Sequence, residues 1–314
     1  MLSYILSGDP NTEHAPALLG VRLYATMNTS VNIRPARAAD KDAVLAFTKQ
    51  TWEWGDYIED VWDHWLNTTS GELAVAEAGR NVVGMTMTTI LSTSEGWMQG
   101  LRVHPDYRRH GLARALTLHQ FDYLRQHAVP VVRLAVHCRN LASQTHVARS
   151  GFRRMTTFAD LEQREKDIVS TDAVAETLTP TDVGAAWPQI EQSPTLRAAA
   201  GLWANGWTWQ RLTREIFAGQ ASQGHVLGVR DAGYWGALAI AMPDGDGKHI
   251  GYVDGAGPAL EHLARALTGQ AQRTGAKYNV AMLPPDPSIV STFRQAGYAG
   301  DSEGAAMYIY ELSL

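Results

Sequence analysis

Four arginines gather in one short stretch, Gly100-Leu-Arg-Val-His-Pro-Asp-Tyr-Arg-Arg-His-Gly-Leu-Ala-Arg114. An apolar strand ending at Val103 runs through a turn at Pro105 into an Arg/Gly loop, and that loop opens a helical pattern beginning at Leu112. Such a loop aims several backbone N–H groups and the positive end of a helix dipole at one point. Arg108 and Arg109 add fixed guanidinium charge that partners a phosphate in bidentate fashion. The chemistry expected here is the holding of an anion, with a diphosphate of suitable size. Gly111 sits where any side chain would block the approach of the backbone to it.

The cluster stands out because the chain as a whole is acidic, with a formal net charge of −5. That balance argues against nucleic acid or an anionic membrane as the main partner. A chain of 314 residues has room for two domains, and 45% hydrophobic with 19% charged residues is a globular composition. Cys138 is the single cysteine, so no intrachain disulfide forms and a cytoplasmic setting is expected. No apolar run reaches the roughly 18 residues needed to span a bilayer. Met1 to Thr26 lacks a basic region before its apolar residues and does not read as a signal peptide. Met27 precedes the first strand pattern, and residues 1–30 are taken as an N-terminal extension. His104, His110, His119, His127 and His137 lack metal-ligand spacing, so no metal is expected.

The elements that must position this loop follow from periodicity. Val31 to Arg34 reads as a strand and Asp40 to Gln50 as a helix. Leu73 to Glu77, Val82 to Leu91 and Trp97 to Val103 read as three strands, with Gly79-Arg-Asn81 as a hairpin turn. Leu112, Ala115, Leu116, His119 and Tyr123 predict one apolar face of the next helix. Val131 to Val136 follows as a buried strand, and Asn140 caps a short helix that ends at Gly151. The second half repeats the plan. Leu260, Leu263, Ala264, Leu267 and Ala271 echo the first-half helix, Tyr278 to Met282 echoes its strand, and Asp286 precedes Gly297-Tyr298 as Asn140 precedes Gly151-Phe152. The polar segment Glu165 to Thr171 is the expected join, giving domains at 31–165 and 172–314. The fold class expected is α/β of the α+β kind: two mixed, mostly antiparallel sheets flanked by helices.

Val103, Pro105, Arg108, Gly111 and Ala113, with Asn140 and Gly151-Phe152 downstream, resemble motifs A and B of the GCN5-related N-acetyltransferases, the GNAT superfamily. The resemblance implies a tandem GNAT fold that transfers an acetyl group directly from acetyl-CoA to a primary amine of a small molecule, amino acid or polyamine-like. It assigns backbone groups of Leu101 and Val103 to the pantetheine arm. The N–H groups of Arg109, His110, Gly111, Leu112, Ala113 and Arg114 fall to the diphosphate, with Arg108 as charge partner, and Asn140 and Ser143 to the far side of the arm. A backbone amide near Leu101 or Arg102 would polarise the thioester carbonyl. Proton chemistry is less well supplied. Where many relatives carry a tyrosine acid this chain has Val147, and on a helix the adjacent His146 is expected to point about 100° away. Where many carry a glutamate base it has Gln99, and Glu95 at the start of that strand would act through water. Glu53, Asp56, Glu59, Asp60 and His64 are further candidates for the base.

Thr51 to Leu66 occupies the place where GNAT proteins form the acceptor site. Trp52, Trp54, Asp56 and Tyr57 are expected to line an apolar slot with anionic character, suited to a cationic amine, while Trp62, Trp65 and Leu66 at helical spacing are expected in the core. Short patches here and at Gly100-Leu-Arg-Val103 are similar to the vertebrate histidine N-acetyltransferases, which implies a free amino acid as one acceptor. The second half departs from the motif. Tyr252-Val-Asp-Gly-Ala-Gly-Pro-Ala259 has no arginine matching Arg108, Asp254 would repel a phosphate, and Pro285 removes a donor. That half is therefore expected to be a degenerate copy that binds no CoA. Two other functions compete: an acyl-CoA-binding regulator without turnover, and a protein-interaction module using Trp203, Trp207 and Trp209. The expected partner is a small-molecule amine, taken by a monomer or a homodimer.

Overall fold

The computed structural model describes residues 30–49, 51, 55–167, 171–300 and 307–314. The chain divides into two compact units, one reaching to Arg154 and including Tyr310–Leu314, the other spanning Met155–Ile309. This corrects the expected join at residues 165–171. The long strand that ends at Arg164 pairs with strands of the second unit, and Glu165–Asp167 form a short 3-10 turn directly after it.

In the first unit β1 (Val31–Pro35), β2 (Gly71–Ala78), β3 (Asn81–Ile90) and β4 (Glu95–Val103) pair antiparallel in sequence order, and β4 continues parallel to β5 (Val131–His137). Gly79 and Arg80 alone form the turn between β2 and β3, since Asn81 already pairs with Ala78. Helices cover both faces, because alternate strand residues are apolar on each side. On one face α1 (Lys41–Thr48) and α2 (Ile58–Leu66) pack Val44, Trp62 and Trp65 against Leu73, Val75, Met85 and Met87. Trp62 and Trp65 are thus core, as their spacing implied. On the other face α3 (Leu112–Gln126) lays Leu112, Ala113 and Leu116 over Ala76, Val83 and Val103. Its buried stripe is Leu112, Ala113, Leu116, Thr117, Gln120, Phe121 and Leu124, rotated from the expected one: His119 and Tyr123 lie on its flank. A polar glutamine holds the centre of that stripe because its side-chain amide donates to Met87 O at 2.9 Å. Then α4 (Leu141–Arg149) follows β5.

The second unit runs β6 (Arg153–Arg164), β7 (Glu176–Thr177), α5 (Val183–Glu191), α6 (Pro194–Ala198), β8 (Leu202–Asn205), β9 (Thr208–Arg211), α7 (Arg214–Ser222), β10 (Val226–Asp231), β11 (Tyr234–Asp244), β12 (Gly247–Gly255), α8 (Gly257–Thr274), β13 (Tyr278–Leu283), α9 (Pro287–Gln295), β14 (Ala299–Gly300) and the start of β15 (Met307–Ser313). Here too antiparallel strands, β10 to β12, lead into a parallel pair, β12 with β13, bridged by a helix whose Leu260, Leu263, Ala264, Leu267 and Ala271 are buried. Trp203 and Trp209 are fully buried and only Trp207 is exposed, which removes the expected tryptophan contact surface. Among the described residues no helix is long and apolar enough to cross a membrane.

In the first unit Arg133 of β5 is buried between two carboxylates, Glu95 at 2.6 Å and Glu311 of the C-terminal strand at 2.7 Å. Arg133→Met would leave both acids facing each other with no cation. We expect it to cost about 3–5 kcal/mol in denaturant unfolding, and Glu95→Gln to cost clearly less because the pair with Glu311 survives.

Candidate functional site

Strands β4 and β5 pair only from Glu95 to Trp97 against Val131 to Arg133. Beyond that they part, and a narrow cavity of about 70 Å³ opens between Gln99–Arg102 on one side and Leu134–Val136 on the other. The parting has a local cause. The register of β3 on β4 jumps from Met85↔Arg102 to Met87↔Gln99, which puts one extra residue into β4. Gly100 takes the left-handed conformation at that bulge (φ +67°), where a Cβ would lie 2.6 Å from the Trp65 ring. A bulge of this kind re-aims backbone groups and ends regular pairing. Thr117 and Gln120 of α3 and Ser143, His146, Val147 and Ser150 of α4 complete the walls.

His146 and Ser150 also line a wider cavity of about 310 Å³, so the two spaces adjoin as one groove. The wide end is bounded by Val103, Arg108, Arg109, Gly111, Leu112, Ala113 and Arg114, and by Arg149 from the last turn of α4. Gly111 is the N-cap of α3 in left-handed conformation (φ +79°) with no side chain capping the helix. The first N–H groups of α3 are therefore left for an external acceptor. Arg109 is also left-handed (φ +62°) although not glycine, a conformation that costs energy and occurs preferentially at ligand sites. Arg108 Nε donates to Val103 O at 3.4 Å, so part of its fork is tied to the loop.

Of the residues expected from sequence, the groove brings together Gln99, Leu101, Arg102, Val103, Arg108, Arg109, Gly111, Leu112, Ala113, Arg114 and Ser143. Others lie elsewhere. His110 is exposed and lines neither end. Asn140 is buried as the cap of α4, its carboxamide oxygen accepting from Ser143 N–H at 3.0 Å, so it holds the helix rather than the groove wall. Glu95 is no water-linked base, because it is buried and paired to Arg133. Asp56 does not offer an open carboxylate: both its oxygens accept from Arg102, Oδ2 from Nε at 2.7 Å and Oδ1 from Nη2 at 3.0 Å, with both side chains almost wholly buried. The Arg102 side chain is thereby withdrawn from the loop arginines. Tyr57 lies beneath it, 5.3 Å from guanidinium carbon to ring centre, and burial pushes its hydroxyl above the ordinary range. Trp52, Glu53 and Trp54 lie outside the described residues, and Glu59, Asp60 and His64 are exposed on α2.

Arg149 and His146 are among the groove residues that the sequence reading did not assign to the site. Arg149 had a signal, since it lies three positions after His146 and so on the same helix flank. His146 was set aside on an ideal wheel centred on Val147, yet both side chains line the groove because it runs along α4 rather than over a single point. His146 Nε2 lies 2.9 Å from the Thr117 hydroxyl, and burial lowers its pKa, keeping the ring neutral near pH 7. Among the described residues no cluster of three or more His, Cys, Asp or Glu could hold a metal ion.

Residues 41–152 match the family model of the acetyltransferase (GNAT) family. The fold is similar to that of a GCN5-related N-acetyltransferase from Sphaerobacter thermophilus, with TM-score 0.64 and 15% identity, covering 90% of this chain and 95% of that one. It is likewise similar to a tandem GNAT protein from the clavulanic acid biosynthesis pathway, with TM-score 0.56 and 15% identity, covering 90% of this chain and 98% of that one. No curated protein sequence matches the chain.

The buried Asp56–Arg102 pair is a stability element, and this can be measured. Asp56→Ala leaves a guanidinium buried without its anion and is expected to cost about 3–5 kcal/mol in chemical unfolding. An open, ligand-facing carboxylate would be removed within about 0.5 kcal/mol.

Proposed function

We propose, from the match of residues 41–152 to the acetyltransferase (GNAT) family model, that the chain is an acetyl-CoA-dependent N-acetyltransferase acting on a primary amine of a small molecule, with its working site in the first unit. The observation that carries the reading is the groove itself. Its wide end joins an uncapped helix N-terminus to Arg108, Arg109, Arg114 and Arg149, which suits a diphosphate, and its narrow end lies between parted strands, which suits a pantetheine arm.

In this reading the α3 N–H groups and the arginines hold the diphosphate. Backbone groups of Leu101 and Val103 meet the arm, Ser143 bounds it from α4, and the amide at Leu101 or Arg102 polarises the thioester carbonyl. Holding two reactants in line supplies a large part of the rate, since effective molarities of about 10⁵–10⁸ M are attainable by positioning alone. Exposed Glu59 and Asp60 in the first turn of α2 would favour a cationic acceptor on that side of the first unit. The cytoplasm, where acetyl-CoA is available, is the proposed setting.

The second unit is read as a degenerate copy without a CoA site. Its order of strands and helices supports that descent, and its loop argues against a ligand. Asp254 Oδ1 already accepts the Gly255 N–H at 2.8 Å, and Pro258 lies in the first turn of α8, where it withholds another donor.

Calorimetry with acetyl-CoA should give one site per chain. Gly111→Val should weaken binding at least tenfold, about 1.4 kcal/mol, because a β-branched residue resists φ +79° and crowds the phosphate. Two sites per chain, or unchanged affinity in a folded variant, would overturn the assignment. Thiol release with a panel of amino acids, polyamines, aminoglycosides and peptides identifies the acceptor.

A further inference from the structure

Resting on the acetyl-transfer reading, we propose that His146 is the proton carrier of the reaction, taking a proton from the attacking amine and returning it to the departing thiolate. Among the side chains lining the narrow end of the groove, only Arg102 and His146 can titrate. Arg102 is held by Asp56 through two hydrogen bonds and stays cationic. That leaves one group able to exchange a proton near neutral pH, and it stands where narrow and wide ends meet.

The environment sets its form. Arg102 from β4, Arg108 and Arg109 from the loop, Arg114 from α3 and Arg149 on its own helix are the charged groups that share the groove walls with it. Arg102 is neutralised by Asp56, and burial is what lowers the pKa of the His146 ring. A neutral imidazole is a base. His146 Nε2 lies 2.9 Å from the Thr117 hydroxyl, and in the tautomer that donates Nε2–H to that oxygen the lone pair of Nδ1 is the one that takes the proton. Thr117 is thus a positioning residue that holds the imidazole ring in place.

The step balances without another reactant. The acceptor reacts as the neutral amine, its ammonium proton having passed to solvent; its nitrogen attacks the thioester carbon and a C–N bond forms. Nδ1 takes the surplus proton from that nitrogen. The C–S bond then breaks, its electron pair passes to sulfur, and the imidazolium delivers the proton there. Amide and free thiol result, and His146 is neutral again. Bound diphosphate would offset the nearby arginines and ease the transient imidazolium.

The test uses the full chain with His146→Gln, which keeps a donor toward Thr117 and removes the titration. With the best amine of the panel, kcat should fall about 100-fold or more, the acidic limb of its pH profile should vanish, and acetyl-CoA affinity by calorimetry should stay within about threefold. Thr117→Val should lower kcat less and move that limb while retaining it. If His146→Gln keeps both kcat and the limb, or loses acetyl-CoA binding outright, the proposal fails. Independently of any acceptor, the His146 Cε1 proton resonance, assigned by its disappearance in His146→Gln, should titrate below the usual imidazole range and shift when acetyl-CoA is added. A resonance that bound acetyl-CoA leaves unmoved overturns the proposal, whereas failure of the wild-type chain to bind acetyl-CoA sinks the acetyl-transfer reading instead.

Discussion

The first unit depends on two parallel strands being held together at one end and apart at the other. Parallel neighbours normally hydrogen-bond along their length, and an unmade ladder in a covered sheet leaves polar groups to satisfy. Here the closed end is fixed by ladder pairing of Glu95–Trp97 with Val131–Arg133, and the same residues carry the Arg133 bridge to Glu95 and Glu311. The open end is fixed by the Gly100 bulge against Trp65 and by Arg102, whose side chain is drawn onto Asp56 on the α1–α2 side. A residue with a Cβ at Gly100 would press on an indole already packed in the core, so the bulge and the tryptophan core constrain one another. The groove is what this geometry leaves.

Charge is divided in the same way. Arg102 and Arg133 are neutralised inside the protein by carboxylates, and buried pairs of this kind bring little net stability while making loss of either partner costly. Arg108, Arg109, Arg114 and Arg149 border the wide end of the groove instead. An acidic chain therefore presents a local cationic mouth beside a helix N-terminus, which selects for an anionic ligand by field as much as by contact.

What could be read from sequence was local. The loop from Val103 to Arg114, the cap at Asn140 and the strands of the first sheet depend on neighbours a few residues away, and the structure has them close to their expected bounds. What could not be read depended on distant partners. Glu95 and Asp56 looked like available acids because Arg133 and Arg102 lie 38 and 46 positions away in the chain. The stripe of α3 was misplaced because Thr117 and Gln120 are polar yet buried, each satisfied by a partner on another element. The division between units was misplaced for a similar reason: β6 takes its partners from β13, far along the chain.

The contrast between the two units shows how little of a fold's chemistry lies in its element order. Both run antiparallel strands into a parallel pair bridged by a long helix with a largely apolar inner stripe. They differ in the few residues that precede that helix. Gly111 caps α3 without a side chain and is flanked by arginines, whereas before α8 a carboxylate already occupies the neighbouring N–H and a proline follows Gly257. Packing preserves the helix and strands in either case, because the apolar stripe does not depend on what stands at the cap. The character of the helix N-terminus depends on those few residues and on the arginines that surround it. A handful of substitutions at a helix N-terminus can therefore change what that terminus offers to a ligand while the architecture stays the same.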